Sequence, residues 1–227
     1  MRGHFGGPSF FMAYYMRTYV YIDGFNFYYG AVKDTQFKWL DFKKLLQHLL
    51  DPKHQIIEIK YFTAMVSGKI DPDQPFRQKT YIRALKKFIP EILVYMGHFM
   101  SHDVYKPIAY PIDKRLFGKN IKFVKIIKSE EKGSDVNLAV HLLNDAWQDL
   151  YDCGVVISND SDLSEALRLV KNHHKKMIGL LTPWRYNPSR ELLTYTNFKK
   201  IVRKGALSIS QLPDPIPGTT IHKPTVW

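Results

Sequence analysis

Val155-Val-Ile-Ser-Asn-Asp-Ser-Asp-Leu163 is an apolar run that ends in two carboxylates, Asp160 and Asp162. A strand of a parallel sheet is buried on both faces, so acidic side chains emerge into a crevice at its carboxyl end. Two acids crowded at that point repel each other, which weakens the fold but suits the binding of a divalent cation. The stretch therefore predicts a buried parallel strand with a polar site at its end.

A second stretch has the same form, because Thr18-Tyr-Val-Tyr-Ile-Asp-Gly-Phe-Asn26 places Asp23 directly after an apolar run. Strands that alternate with helices predict βαβ units, and therefore an α/β fold: a three-layer sandwich with a central, mostly parallel sheet and helices on both faces. The β-like runs are 18–22, 56–62, 91–96, 121–127, 153–157 and 177–181, and the helical patterns are 41–50, 75–88, 134–150 and 162–173.

Charge and composition limit the class of protein. The chain has 227 residues, of which 45% are hydrophobic, enough for one packed domain. Its net charge of +12 favours a polyanion partner, and nucleic acid is the commonest, with an ordinary basic protein as the alternative. The one cysteine, Cys153, excludes an internal disulfide framework and suits a reducing cytoplasm. Because no apolar run approaches about 18 residues, no membrane-spanning helix is predicted.

Four carboxylates are expected to meet in one crevice. Asp23 and Asp160 follow strands, Asp162 opens the next helix, and Asp135 lies in the first turn of the 134–150 helix, for which Ser134 is the expected N-cap. So many acids stay ionised together only beside a cation, and oxygen ligands favour Mg²⁺ or Mn²⁺. The alternative is that each Asp is a cap or turn residue, Asp162 above all.

Helix geometry excludes two further candidates from this group. Asp145 lies ten residues beyond Asp135, about 15 Å along the helix axis. It cannot share an ion with Asp135, so a solvated face or a salt bridge is expected for it. His141 lies about 9 Å along the helix and about 120° round from Asp135, so it is not expected to be a direct ligand.

Three motifs resemble a known family in their order and spacing. Tyr21-Ile-Asp-Gly-Phe-Asn-Phe27, Glu131-Lys-Gly-Ser-Asp-Val-Asn-Leu-Ala-Val140 and Val156-Ile-Ser-Asn-Asp-Ser-Asp-Leu163 resemble the NYN domain, LabA-like branch, of the PIN-like or FLAP-nuclease-like superfamily. The resemblance implies a Rossmann-like, PIN-like fold, a Mg²⁺ or Mn²⁺ site and RNA as substrate. Many members carry a further Asp where this chain has His141, which leaves the number of metal ligands open, and many have Gly at position 159.

Composition and periodicity, together with the resemblance, suggest a division of the chain. Residues 1–15 would be a flexible extension, 16–205 the NYN/PIN-like nuclease domain, and 206–227 a Pro-rich tail, extended or disordered from Leu212. The stretch 97–120, with little periodicity, is expected to be a long loop near the site. By similarity the catalytic and metal-binding residues are Asp23, Asp135, Asp160 and Asp162, with Asn26 supporting the first. Basic charge and position in the motifs give the residues expected to contact substrate: Lys132, Ser158, Arg77, Arg83, Lys114, Arg115 and Arg185.

The predicted function is a metal-dependent endoribonuclease. The cation would bind the scissile phosphate, lower the pKa of a water molecule and stabilise the leaving oxygen. Single-stranded RNA is the expected partner, no membrane is expected, and a homo-oligomer is left open. The first alternative is a catalytically weak or inactive RNA-binding regulatory adaptor. The second is a haloacid-dehalogenase-type phosphatase. That chemistry needs Asp-x-Asp after the first strand, and the position two residues after Asp23 is Phe25 instead of Asp.

Overall fold

The computed structural model describes residues 15–108 and 122–227. Helices and strands alternate through most of this part of the chain. The strands are β1 (Met16–Asp23), β2 (His54–Thr63), β3 (Ile92–Met96), β4 (His98–Pro107), β5 (Phe123–Lys132), β6 (Cys153–Ile157), β7 (Met177–Pro183) and β8 (Phe198–Val202). The α-helices are α1 (Gly24–Phe27), α2 (Phe42–Leu49), α3 (Gln74–Phe88), α4 (Ser134–Trp147), α5 (Ser164–Asn172), α6 (Arg190–Thr194) and α7 (Lys204–Ile209).

In the described part of the chain, six strands form one sheet in the order β3-β2-β1-β6-β7-β8, and all neighbours are parallel. Successive residues of a strand point to opposite faces. Val20 and Ile22 therefore pack into one apolar cluster with α2 and α3, while Tyr19 and Tyr21 pack into a second with α4 and α5. The predicted α/β fold with a central parallel sheet covered on both faces is confirmed.

The strand order reverses direction between β1 and β6, which lie side by side with Ile22 opposite Ile157. The chain leaves β1 towards β2 on one side of the sheet, and β6 leads to β7 on the other. In open α/β sheets, ligands bind beyond the carboxyl ends of the strands at such a reversal. Asp23 at the end of β1 and Asp160 just after β6 therefore lie at the same crevice.

The predicted loop at 97–120 is wrong for its first part. Strand β4 pairs antiparallel with β5 along its whole length, from His98 opposite Lys132 to Pro107 opposite Phe123. Exposed residues occur on both faces of this two-stranded ribbon, so neither strand shows the clear alternation of a half-buried sheet. Residues 109–121 lie outside the described part of the chain.

The tail from Leu212 is not disordered, because it packs on the domain. Leu212 and Ile216 are buried in the same apolar cluster as α2 and α3, and the indole of Trp39 donates to the Pro213 carbonyl at 3.0 Å. The prolines prevent a helix, so the sequence shows no periodicity. The apolar residues between them are nevertheless buried, because transfer of apolar surface out of water is favourable. Among the described residues, no helix is long and apolar enough to cross a bilayer.

Candidate metal centre

Three of the four predicted carboxylates lie together at the reversal point. Asp135, Asp160 and Asp162 each offer an oxygen atom, and these atoms all lie within 4.8 Å of one another. Asp135 comes from the first turn of α4, Asp160 follows β6, and Asp162 lies in the short 3₁₀ turn before α5. The donors are carboxylate oxygens alone, which is the set that Mg²⁺ and Mn²⁺ prefer. The residues present therefore fit the predicted cation.

Asp162 does not cap the following helix. Instead the Asp160 carboxylate caps the 3₁₀ turn, because its Oδ1 accepts the backbone N–H of Asp162 at 3.1 Å. No side chain of the described residues caps the N-terminus of α5. Asp160 is therefore a cap and Asp162 a turn residue, and both carboxylates also offer oxygens to the group of three.

Asp23 stands beside this group of three and is not a member of it. Its Oδ1 accepts the backbone N–H of Asn26 at 3.0 Å, and its Oδ2 accepts the Ser158 hydroxyl at 3.0 Å. Burial raises the pKa of Asp23 to about 6; the two hydrogen bonds oppose this rise, and the charges of Asp160 and Glu131 add to it. Asp23 therefore acts first as an anchor in the structure.

The anchor extends to the loop that carries Asp160 and Asp162. The hydroxyl of Ser158, which donates to Asp23, also accepts the backbone N–H of Asp160 at 3.1 Å. The Asn26 side chain accepts the backbone N–H of Asn159 at 3.0 Å. Through these contacts the first motif holds the last one in place, across 135 residues of sequence between Asp23 and Ser158.

Asn159, where many family members have Gly, adds a contact on the other side. Its amide donates to the Asn187 carbonyl at 2.9 Å, and its Oδ1 accepts the Ser189 backbone N–H at 2.8 Å. The departure from the family pattern thus connects the acidic loop to the segment that precedes α6. It adds two hydrogen bonds and removes none of the three carboxylates.

Sequence reasoning missed Glu131 as a fifth acid near the centre. Its Oε1 accepts the backbone N–H of Ser134 at 2.7 Å, and its charge contributes to the raised pKa of Asp23. Ser134 is therefore the first residue of α4 and not its N-cap, a position taken by Gly133 with a left-handed φ of 90°. The sequence did carry a signal for this contact, namely an acid three residues before the helix begins. Such a side chain can accept from the unpaired backbone N–H groups of the first helical turn.

Asp145 and His141 lie outside the group, as their helix positions predict. Asp145 forms a salt bridge, but a buried one: its Oδ2 accepts from the Lys60 ammonium at 2.6 Å and from the Tyr21 hydroxyl at 2.7 Å. The solvated face considered for it is wrong. His141 packs against Tyr95 with 4.2 Å between ring centroids, and burial lowers its pKa.

The basic residues predicted to contact substrate differ in their surroundings. Lys132 at the end of β5 and Arg83 on α3 are exposed. Arg77 forms an ion pair with Asp71. The guanidinium of Arg185 donates to the backbone carbonyls of Tyr29 and Lys33, so it holds the segment after α1. Two further candidates lie outside the described residues, namely Lys114 and Arg115.

The buried Asp23 is expected to make the metal-free protein less stable as the pH rises from about 4 to 6. Its folded pKa is about 6 and its ordinary value is 3.8, so the unfolded chain loses its proton first and is favoured by rising pH in that window. At about 1.4 kcal/mol per pH unit the total is about 3 kcal/mol.

In Asp23→Asn the side chain at this position cannot ionise. The free energy of unfolding of the variant, relative to that of the wild type, should therefore rise by this amount as the pH increases and level off above pH 6 to 7. Urea unfolding in EDTA at stepped pH measures the difference. Asp51→Asn, in an exposed turn before β2, is the matched control. Parallel pH curves for wild type and Asp23→Asn would contradict the raised pKa.

Comparisons with known proteins agree with the fold and the motifs. The NYN domain pattern matches residues 17–199. Over 233 residues the chain is 30% identical to 6-hydroxy-3-succinoylpyridine 3-monooxygenase HspA of Pseudomonas putida, covering 93% of this chain and 74% of that protein. A crystal structure of a protein of unknown function from Vibrio parahaemolyticus superposes with a TM-score of 0.53 at 15% identity, over 84% of this chain and 95% of that chain, which supports the fold alone. The chain therefore belongs to the NYN domain family.

Proposed function

We propose that this NYN-domain protein is a Mg²⁺- or Mn²⁺-dependent endoribonuclease. The observation that supports this most directly is the grouping of Asp135, Asp160 and Asp162 within 4.8 Å at the carboxyl ends of the strands. These three would hold the cation. NYN domains are generally nucleases, and the motifs favour the LabA-like branch of the PIN-like superfamily.

The reaction adds water across a phosphodiester bond: a new P–O bond forms, the old one breaks, and the leaving oxygen takes a proton. A divalent cation, when bound, supplies Lewis-acid chemistry by neutralising phosphate charge and making water more acidic. The protein's own part is to hold the three carboxylates at fixed separation. Asp23, Asn26 and Ser158 serve this as positioning residues, because their hydrogen bonds hold the backbone at Asn159 and Asp160.

RNA affinity is proposed to come from the net charge of +12, which favours contacts to phosphates that do not depend on sequence. Lys132 adjoins the turn that leads to Asp135 and is exposed, so it is placed to meet a phosphate near the centre. Single-stranded RNA remains our proposed substrate. A reducing cytoplasm suits the buried Cys153, and a homo-oligomer remains open.

A second candidate function comes from the relative HspA, whose name describes a monooxygenase that acts on a substituted pyridine. The 30% identity over most of the chain favours a monooxygenase function. A monooxygenase would take up dioxygen when the protein is given that pyridine and a reductant. The RNA-binding adaptor predicts neither dioxygen uptake nor cleavage, but retains RNA affinity.

Cleavage of a labelled panel of single-stranded RNA, duplex RNA and single-stranded DNA tests the main proposal. We expect internal cuts in single-stranded RNA with Mg²⁺ or Mn²⁺ and none in EDTA. Dioxygen uptake is recorded for the same preparation. Absence of cutting with every metal and RNA, with tight RNA binding, would favour the adaptor; dioxygen uptake without cutting would favour the monooxygenase.

A further inference from the structure

A cavity of about 200 Å³ lies beside the turn that follows Asp23, with Gly24 and Phe25 in its lining. We call it the aromatic pocket, because rings from several parts of the chain line it, namely Phe25, Tyr28, Tyr61, Tyr81 and Trp227. The Trp227 ring lies 5.8 Å from the rings of Trp39 and Tyr81, which places it as one wall. Ligand pockets for drug-sized molecules are about 300–1,000 Å³, so this one suits a single ring system.

Most polar groups of the pocket already have partners inside the protein. Arg77 is paired with Asp71, and the Gln78 side chain accepts from the Val66 N–H at 2.9 Å and donates to the Ala64 carbonyl at 2.8 Å. The charge of Arg77 is thus matched by Asp71, and the Gln78 amide uses both its oxygen and its nitrogen inside the protein.

Lys38 differs from them, because its ammonium makes no ion pair with any carboxylate in the described part of the chain. It lines the pocket and is half-buried, and burial is the main cause of its lowered pKa. The carboxylate that acts on it most is Asp34, which instead lies 3.8 Å from Arg185. A half-buried ammonium with no carboxylate partner among the described residues would be stabilised by an anionic group. The aromatic walls would hold a ring that carries that group.

We propose that the aromatic pocket binds a planar aromatic ring that carries an anionic group, with the ring between the aromatic walls and the anion at Lys38. Free aromatic carboxylates and mononucleotides share this chemistry. Binding in the aromatic pocket and cleavage of RNA are measured separately, so loss of one does not imply loss of the other.

Titration calorimetry and tryptophan fluorescence of the full chain test the proposal. The probes are benzoate, naphthoate and uridine 5′-monophosphate, with benzamide as a neutral ring and cyclohexanecarboxylate as a non-planar anion. We expect saturable binding of one or more aromatic anions, with weaker binding of the neutral and non-planar probes. Tight binding of the mononucleotide alone would identify a nucleotide unit as the source, and tight binding of a carboxylate would identify a small aromatic acid.

Two pocket variants and one control variant locate the binding. Lys38→Met should weaken it roughly tenfold or more, since a hydrogen bond to a charged group is lost. Lys44→Met, an exposed lysine on α2 outside the pocket, should leave it unchanged. Val66→Phe should block binding by filling the cavity, which keeps the test decisive if Lys38→Met misfolds. Absence of binding by every aromatic anion, or equal binding by the wild type and Lys38→Met, would overturn the proposal.

Discussion

Asp160→Asn is expected to lower RNA cleavage by roughly a hundredfold or more, because the change removes one negative charge from the three-carboxylate group. The substitution leaves the shape of the side chain unchanged. An amide oxygen can still accept the Asp162 N–H, so the 3₁₀ turn and the loop should persist. RNA binding should stay near the wild-type level or rise slightly, since a repulsive charge is lost. Initial cleavage rates and fluorescence anisotropy with the same RNA separate the two effects.

Matched variants make this result interpretable. Asp135→Asn and Asp162→Asn should also lower cleavage, whereas Asp51→Asn, in an exposed turn at the amino ends of the strands, should not. The midpoint of activation by Mn²⁺ should move to higher concentration in the three site variants. Cleavage by Asp160→Asn at the wild-type rate would reject the metal centre as the catalytic site.

Asp145→Ala is expected to lower the free energy of unfolding by about 3 kcal/mol. The Lys60 side chain is only 6% exposed, and without Asp145 its ammonium would keep one carboxylate, Glu58, at 3.3 Å. Removing one partner of a buried pair costs about 3–5 kcal/mol, and the remaining Glu58 places the effect at the lower end. The Tyr21 hydroxyl would also lose its acceptor. Urea unfolding at pH 7 measures the loss.

A double-mutant cycle distinguishes this pair from an ordinary surface contact. Asp145→Leu combined with Lys60→Met should be less damaging than the sum of the single changes, because neither Lys60 nor Asp145 is left as a buried charge without its partner, and Glu58 is 25% exposed. Asp103→Ala removes an exposed partner of Lys125 on the β4–β5 ribbon and should leave the free energy of unfolding nearly unchanged, because water screens this pair. A change within 1 kcal/mol for Asp145→Ala would show that water reaches Lys60 and replaces its partner.

The main elements were predictable because their signals are local. The apolar runs at 18–22 and 153–157 lie within β1 and β6, and the helical pattern at 41–50 contains α2, which Asp41 caps by accepting the Lys44 N–H. The elements that escaped prediction have weak local signals. The edge strand β8 carries two exposed lysines, Lys199 and Lys200, and the ribbon strand β4 is exposed on both faces.

The sequence by itself determined the alternation of strands and helices and the acids that follow β1 and β6, because periodicity and strand ends are properties of neighbouring residues. Only the tertiary structure decided that Asp135, Asp160 and Asp162 form one group while Asp23 anchors the loop through Ser158. It also paired Asp145 with Lys60, and it left Lys38, beside the aromatic pocket, without a carboxylate partner among residues 15–108 and 122–227. The physical reason is that these distances depend on the strand order and the crossovers, which bring together residues that no local pattern connects.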